Sequence, residues 1–299
     1  MPVLYRPARA EDLGRADEIV VASINELTER HGFGHIAASR PTNFQLFSLK
    51  DDAGGLWVAE DAGEILGFAW SWVCDELWFL AQLFVSPGHQ GLGIGNELLK
   101  RTFDHAQRSG AANKALITFT FNTVSQGLYI RNGLFPRFPI YNFSVARERL
   151  GRLHGPQLSP VRLEETGPHL RSLNRIDAAA LGISREKHHR YLICDGATKG
   201  FGLYAGDDCA GYVYIDNSGH IGPLAVAQPD TLGAAFRTAL NLAAENGSTQ
   251  VSAFLPGTSD AALSLAVEHG MRITLPMVLM SSRSVGDWSQ YLPRNPGFM

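Results

Sequence analysis

The segment Val85-Ser86-Pro87-Gly88-His89-Gln90-Gly91-Leu92-Gly93-Ile94-Gly95-Asn96 constrains the fold more than any other stretch of the chain. Before it runs an apolar stretch, Leu77 to Val85, that reads as a buried strand ended by Pro87. After it comes a helical pattern in which Ile94, Leu98, Leu99, Phe103 and Ala106 share one face and Gly110 marks the stop. A strand that turns through glycines into a helix belongs to an α/β arrangement. The chemistry of such a turn is anion binding. Glycines lack the Cβ that keeps a ligand away from successive N–H groups, so those groups converge on one point. The helix start adds unpaired N–H groups and the positive end of its dipole. A pyrophosphate can sit there without a lysine. A dinucleotide fold would space its glycines as Gly-x-Gly-x-x-Gly, whereas this segment reads Gln-x-x-Gly-x-Gly.

The elements around the turn follow from periodicity. Residues 3–6 predict a short strand, and Leu13, Ala16, Val20, Ile24 and Leu27 predict one face of a helix. Residues 28–52 hold a second helix or a loop. Leu56 to Glu60 and Ile65 to Val73 read as strands joined near Gly63. Ala115 to Phe121 reads as a strand, Thr123 to Arg131 as a short helix ended by Gly133, and Phe135 to Val145 as a final strand pair. The second half repeats the order. Strands are expected over Cys209–Ile215, His220–Val226, Gln250–Leu255 and Arg272–Met280, with helices over Thr231–Asn246 and Ser259–His269. Gly67-Phe68 matches Gly211-Tyr212, Leu83-Phe84-Val85 matches Leu224-Ala225-Val226, and Asn132-Gly133-Leu134 matches His269-Gly270-Met271. The stretch between them is poor in large apolar residues and holds two prolines. The expected organisation is therefore a domain over 1–148, a linker over 149–159, a second domain over 160–283 and an irregular tail over 284–299.

A second constellation, Asn122-Thr123-Val124-Ser125-Gln126-Gly127-Leu128-Tyr129-Ile130-Arg131-Asn132-Gly133-Leu134, lies at the right distance from the first. Together, Leu-x-Val-x-Pro followed by Gln-x-x-Gly-x-Gly, and Asn122 with Tyr129 seven residues later, resemble motifs A and B of the GCN5-related N-acetyltransferases (GNAT). Ser125 and Leu134 depart mildly from that pattern, which more often has alanine and phenylalanine there. The resemblance covers 3–146 well and 160–283 weakly. It implies two tandem α/β domains, each a central mixed, splayed sheet flanked by helices, with acetyl-CoA as co-substrate and no metal. Gln90, Gly91, Leu92, Gly93, Ile94, Gly95 and Asn96 would cradle its phosphates. The main chain of Leu83, Phe84 and Val85 would pair with pantetheine where two strands part beyond Val85, and Asn122 would hydrogen-bond the same arm. Tyr129 would protonate the leaving thiolate as general acid, and the Val85 N–H would stabilise the oxyanion. Where many relatives carry a glutamate, this chain has Ala81 and Gln82, so a carboxylate base is missing. Asp75 and Glu76 read as solvated hairpin charges.

In the second half the position of Tyr129 is Ala266 and that of Asn122 is Ser259, which reads as a helix cap. No Gln-x-x-Gly-x-Gly follows Pro229, and Asp230 would repel phosphate. This copy is expected to be silent, and to wall off the acceptor pocket, stabilise the first domain or form a homodimer. The net charge is −3 with no long run of one sign, which points to neither nucleic acid nor an anionic membrane as partner. No apolar run approaches a membrane span, and the start of the chain lacks a signal-peptide core. Three widely spaced cysteines suit a reducing cytoplasm. Cys74 reads as a packed strand residue, Trp70 and Trp72 as core neighbours on one strand face, and His188-His189 as a solvated pair. His31 and His35 have no third ligand to complete a metal site. The expected activity is acetyl transfer to a small-molecule amine or an amino terminus. The alternatives are a non-catalytic acetyl-CoA-binding module, or transfer of a longer acyl group or to a hydroxyl.

Overall fold

The computed structural model describes residues 3–165 and 169–299, and the chain forms two compact units. The first comprises Met1–Ile117 with Phe121–Leu134, the second Thr118–Thr120 with Phe135–Met299.

In chain order the first unit holds β1 (Leu4–Pro7), α1 (Asp12–Arg30), α2 (Asn43–Asp51), β2 (Leu56–Asp61), β3 (Glu64–Cys74), β4 (Leu77–Val85), α3 (Ile94–Arg108), β5 (Asn113–Phe119) and α4 (Thr123–Arg131). Its strands lie in the order β1-β2-β3-β4-β5, antiparallel except for the parallel β4–β5 pair. One sheet face receives α3: Ile94 and Leu98 cluster with Ala59, Leu66 and Ala69, and Leu83 and Val85 pack beside them. Gly67 lies under that helix. A Cβ there would stand 3.0 Å from Leu98 Cδ1 and 3.1 Å from the Phe84 carbonyl oxygen, so helix or strand would have to give by a few tenths of an ångström. Trp70 and Trp72 are buried. Phe44 of α2 stands edge-on to Trp70 with ring centroids 5.0 Å apart, and Trp72 stacks on Phe79 at 4.8 Å. A polar chain running from the surface into the core ties the end of α2 to α3 and β3: Ser71 Oγ lies 3.0 Å from His105 Nδ1, and His105 Nε2 lies 2.7 Å from Asp52 Oδ2.

The second unit holds β6 (Phe135–Ala146), β7 (Ser159–Arg162), α5 (Leu170–Leu181), α6 (Glu186–Cys194), β8 (Thr198–Ala205), β9 (Asp208–Asp216), β10 (His220–Val226), α7 (Leu232–Glu245), β11 (Gln250–Pro256), α8 (Asp260–Glu268), β12 (Arg272–Ser281) and β13 (Tyr291–Leu292). The strand order is β12-β6-β11-β10-β9-β8-β7, with β13 paired to β10. The stripe Leu232, Ala235, Phe236, Ala239, Leu240 and Ala243 of α7 is buried and forms the centre of its core. The internal repeat holds element by element, from β1 matching β7 to β6 matching β12.

Several expectations change here, and the tail over 284–299, expected to be irregular, supplies strand β13. Phe135–Val145 is not a strand pair but one 12-residue strand, antiparallel to β11 on one side and β12 on the other. Pro136 and Pro139 face Met280 and Val278, where β6 carries an extra residue relative to β12 and a missing N–H is tolerated. The first compact unit therefore closes at Leu134 rather than at 148. The stretch expected as a linker, 149–159, is packed: Leu150, Leu153 and Leu158 are buried in the second core. Its backbone is bound by α7, with Leu153 N–H donating to Asn241 Oδ1 and Leu158 N–H to Thr238 Oγ1, each at 2.9 Å.

His188 and His189 are both buried rather than solvated. His189 belongs to a charged cluster centred on Asp177. Arg185 donates to Asp177 from Nε at 3.0 Å and Nη2 at 2.9 Å, and to the Tyr291 hydroxyl at 2.7 Å. His189 Nε2 stands 3.0 Å from Asp177 Oδ2, and its Nδ1 3.0 Å from the Tyr214 hydroxyl. Among the described residues no helix is long and apolar enough to cross a membrane.

Candidate active site

The two strands beside the glycine turn part earlier than expected. β4 pairs with β5 only from Leu77↔Asn113 to Leu80↔Leu116. The cause is a bulge: Trp70 faces Gln82 and Ser71 faces Leu80, so Ala81 is an extra residue without a partner on β3. Leu77 to Leu80 are buried, whereas Ala81 to Val85 are half-buried. The gap opens at Ala81, not beyond Val85.

The alternation of main-chain groups decides what faces that gap. Ser86 N–H donates to the Leu66 carbonyl at 2.8 Å, so in an antiparallel ladder Phe84 also turns its N–H and C=O to β3. Phe84 therefore leaves the set of residues with main-chain groups free for a ligand. Leu83 and Val85 turn theirs toward the gap. The Val85 carbonyl is already taken, accepting from Ser23 Oγ at 3.0 Å and from Gln90 Nε2 at 3.1 Å. What the gap offers is the Val85 N–H and both main-chain groups of Leu83. Ser23 was not singled out from the sequence. Its signal was present, since it is a polar residue on the buried side of α1, three after Val20.

The same strand leads into the glycine turn. Gly91 and Gly93 have φ of +81° and +84°, and open space lies where a Cβ would stand. Gly93 stands at the start of α3 in the left-handed conformation and brings no side chain to cap the first N–H groups of that helix. Leu92 is 71% exposed, so the turn presents its backbone outward. Ile94 is buried under the sheet, Gly95 lies 3.6 Å from Val85 Cγ2 at its Cβ position, and Asn96 is exposed. This is a concave, cation-free set of N–H donors that fits a pyrophosphate. A valine at position 93 would be strained in the left-handed region. Gly93→Val is expected to weaken acyl-CoA binding at least about tenfold by calorimetry, whereas Gly95→Ala, at ordinary helical backbone, has little effect.

Asn122 caps α4, its Oδ1 accepting from Ser125 N–H at 3.2 Å. Tyr129, two turns on, is 5% exposed. Burial pushes its phenol well above the ordinary value of 10.0. Gln82 Oε1 is buried without a hydrogen-bond partner at the bulge. Asp75 and Glu76 are exposed in the β3–β4 hairpin, and Cys74 is buried in β3. In the second unit Ser259 stands at the start of α8, but its hydroxyl donates to the Trp288 carbonyl at 2.6 Å instead of capping the helix.

Residues 21–134 match the Acetyltransferase (GNAT) family. An uncharacterized N-acetyltransferase of Archaeoglobus fulgidus is 27% identical over 108 residues, covering 33% of this chain and 71% of that protein. A putative acetyltransferase of Pyrococcus horikoshii superposes with TM-score 0.78 at 16% identity, over 99% of this chain and 96% of that one. A tandem GNAT protein from the clavulanic acid biosynthesis pathway superposes with TM-score 0.58 at 15% identity, over 95% and 98%. At these identities the two structures speak to the fold alone. Residues 21–134 thus match a family of acetyltransferases that draw on acyl-CoA, and over nearly its whole length the chain shares the repeated fold of the two solved proteins.

Proposed function

We propose that the first unit transfers the acetyl group of acetyl-CoA to a primary amine, by direct attack within a ternary complex. One observation carries this reading: a single strand, β4, supplies unpaired main-chain groups at Leu83 and Val85 and then runs directly into the N–H cradle of Gly91 to Asn96. A pantetheine arm extends that sheet as a borrowed strand, with its pyrophosphate on the start of α3. Asn122 Oδ1 is committed to the cap, which leaves its amide N–H for the arm.

The neutral amine forms the new C–N bond at the acetyl carbonyl as the C–S bond breaks. The Val85 N–H faces the developing oxyanion, and the Tyr129 hydroxyl gives its proton to the departing thiolate. Gln82 cannot remove the amine proton, since an amide is no base at neutral pH; its buried Oε1 can hold the amine or a water, and the proton leaves to solvent. The three cysteines form no disulfide, which suits a reducing cytoplasm.

The test is release of free CoA thiol across a panel of small amines and amino-terminal peptides. Saturable turnover with at least one amine is the expected result. Saturable acetyl-CoA binding without turnover on any acceptor would replace the enzyme by a binding module, and faster turnover with longer acyl chains would move the donor away from acetyl-CoA.

A further inference from the structure

The cleft of the second copy is already filled by the chain itself. As β4 parts from β5 in the first unit, β10 pairs with β11 only at His220↔Ser252 and Ile221↔Ala253. The residues beyond, Leu224, Ala225 and Val226, match Leu83, Phe84 and Val85. Here their free edge is covered by β13, with Leu224 facing Leu292 and Ala225 facing Tyr291.

The polar contacts repeat those assigned to the coenzyme in the first copy. Val226 N–H, the counterpart of Val85 N–H, donates to the Gln290 carbonyl at 3.0 Å. Ser259, the counterpart of Asn122, donates its hydroxyl to the Trp288 carbonyl at 2.6 Å. Tyr291 and Leu292 are fully buried and Trp288 is 3% exposed, so the seat is dry. Gly222 lets the tail approach: a Cβ there would stand 2.6 Å from the Pro293 carbonyl oxygen. A pantetheine arm is a narrow chain carrying amides. A peptide offers the same donors and acceptors at strand spacing.

We propose that residues 287–292 are a built-in peptide counterpart of the pantetheine arm, seated in the second cleft, so that this copy takes no acyl-CoA and the chain binds one coenzyme. The assignment rests on the reading of the first cleft as a pantetheine slot. It goes beyond the loss of the glycine turn, because a cleft that merely lacked the turn would stand open.

Residue-resolved hydrogen exchange on the full chain tests it. Without coenzyme, the amides of Leu224 and Val226 are expected to exchange at least about a thousandfold more slowly than in an unstructured peptide. Acetyl-CoA is expected to slow exchange at Val85 and over 91–96 and to leave Leu224 and Val226 unchanged. Ser259→Ala, which removes one anchor, is expected to speed exchange at Leu224 and Val226 about tenfold while Val213 in β9 is unaffected. Leu292→Pro, which deletes a ladder N–H, is expected to abolish their protection. Fast exchange at Val226 in the wild-type chain, protection gained there on adding acetyl-CoA, or protection kept in folded Leu292→Pro would each overturn the assignment. Should acetyl-CoA protect neither cleft, the acetyl-CoA reading of the first unit falls, while the coenzyme-free exchange and the two variants still decide the tail.

Discussion

Tyr129→Phe is expected to lower kcat by about 10²–10⁴-fold, the range over which a positioned proton donor acts, and to leave acetyl-CoA affinity unchanged. The side chain is buried in α4, so the loss of one oxygen alters neither the helix nor the cap at Asn122. Burial holds the phenol protonated well past its ordinary value of 10.0. The variant and the wild type should therefore share the same rising limb with pH, set by deprotonation of the amine. The wild type should show no falling limb from Tyr129 below about pH 10. Stopped assays of thiol release from pH 6 to 10 give both profiles. A variant that turns over at the wild-type rate removes Tyr129 from its role. The second unit carries the same experiment done by sequence, since Ala266 occupies the matching place on α8, buried and without a proton to give.

The largest effect on stability is expected from Asp177→Ala. Asp177 and Arg185 are 0% and 1% exposed. Removing the carboxylate leaves a guanidinium in a dry core, at a cost of about 3–5 kcal/mol, and lowers Tm by about 10 °C or more in a unit of this size. Calorimetry of the full chain measures this. Asp177→Asn keeps the shape but not the charge, and should recover only part of the loss. Burial by itself would raise the Asp177 carboxyl; the Arg185 guanidinium and the hydrogen bonds from Arg185 and His189 outweigh it and hold the group far below its ordinary 3.8. With the folded value depressed, this contribution is complete above the unfolded value and is lost as pH falls below it. The wild-type Tm should therefore fall steeply below about pH 4, and that slope should flatten in Asp177→Ala.

The elements that carry the candidate site were more legible in the sequence than the architecture around them. Glycines at fixed offsets after an apolar run, and Asn122 spaced from Tyr129, are local signals, and β4, α3 and α4 fall where they indicated. The bulge at Ala81 left no such mark. Leu77 to Val85 is almost continuously apolar, so no break in alternation betrays an extra residue, and only pairing with β3 reveals it. The same absence of alternation hid which main-chain groups of Leu83, Phe84 and Val85 stay available. α5 and α6 escaped notice because their buried faces include Asp177, His188 and His189 beside the leucines, which blurs the apolar period. Leu150, Leu153 and Leu158 sit among prolines and glycines and follow neither a helical nor a strand rhythm; their burial depends on α7, far along the chain.

The placement of β6 bears on how the chain comes off the ribosome. Its hydrogen-bonding neighbours are β11, which starts at Gln250, and β12, which ends at Ser281. Both emerge about a hundred residues or more after Ala146, a delay of roughly 5–20 s at usual rates of synthesis. During that interval a 12-residue strand carrying Phe138, Ile140, Tyr141 and Phe143 has both edges unsatisfied. A chaperone acting during synthesis has a natural client there. A gene cut between the repeats at residue 148 would leave β6 in one product and both its neighbours in the other, so the two halves should depend on co-expression to reach solution.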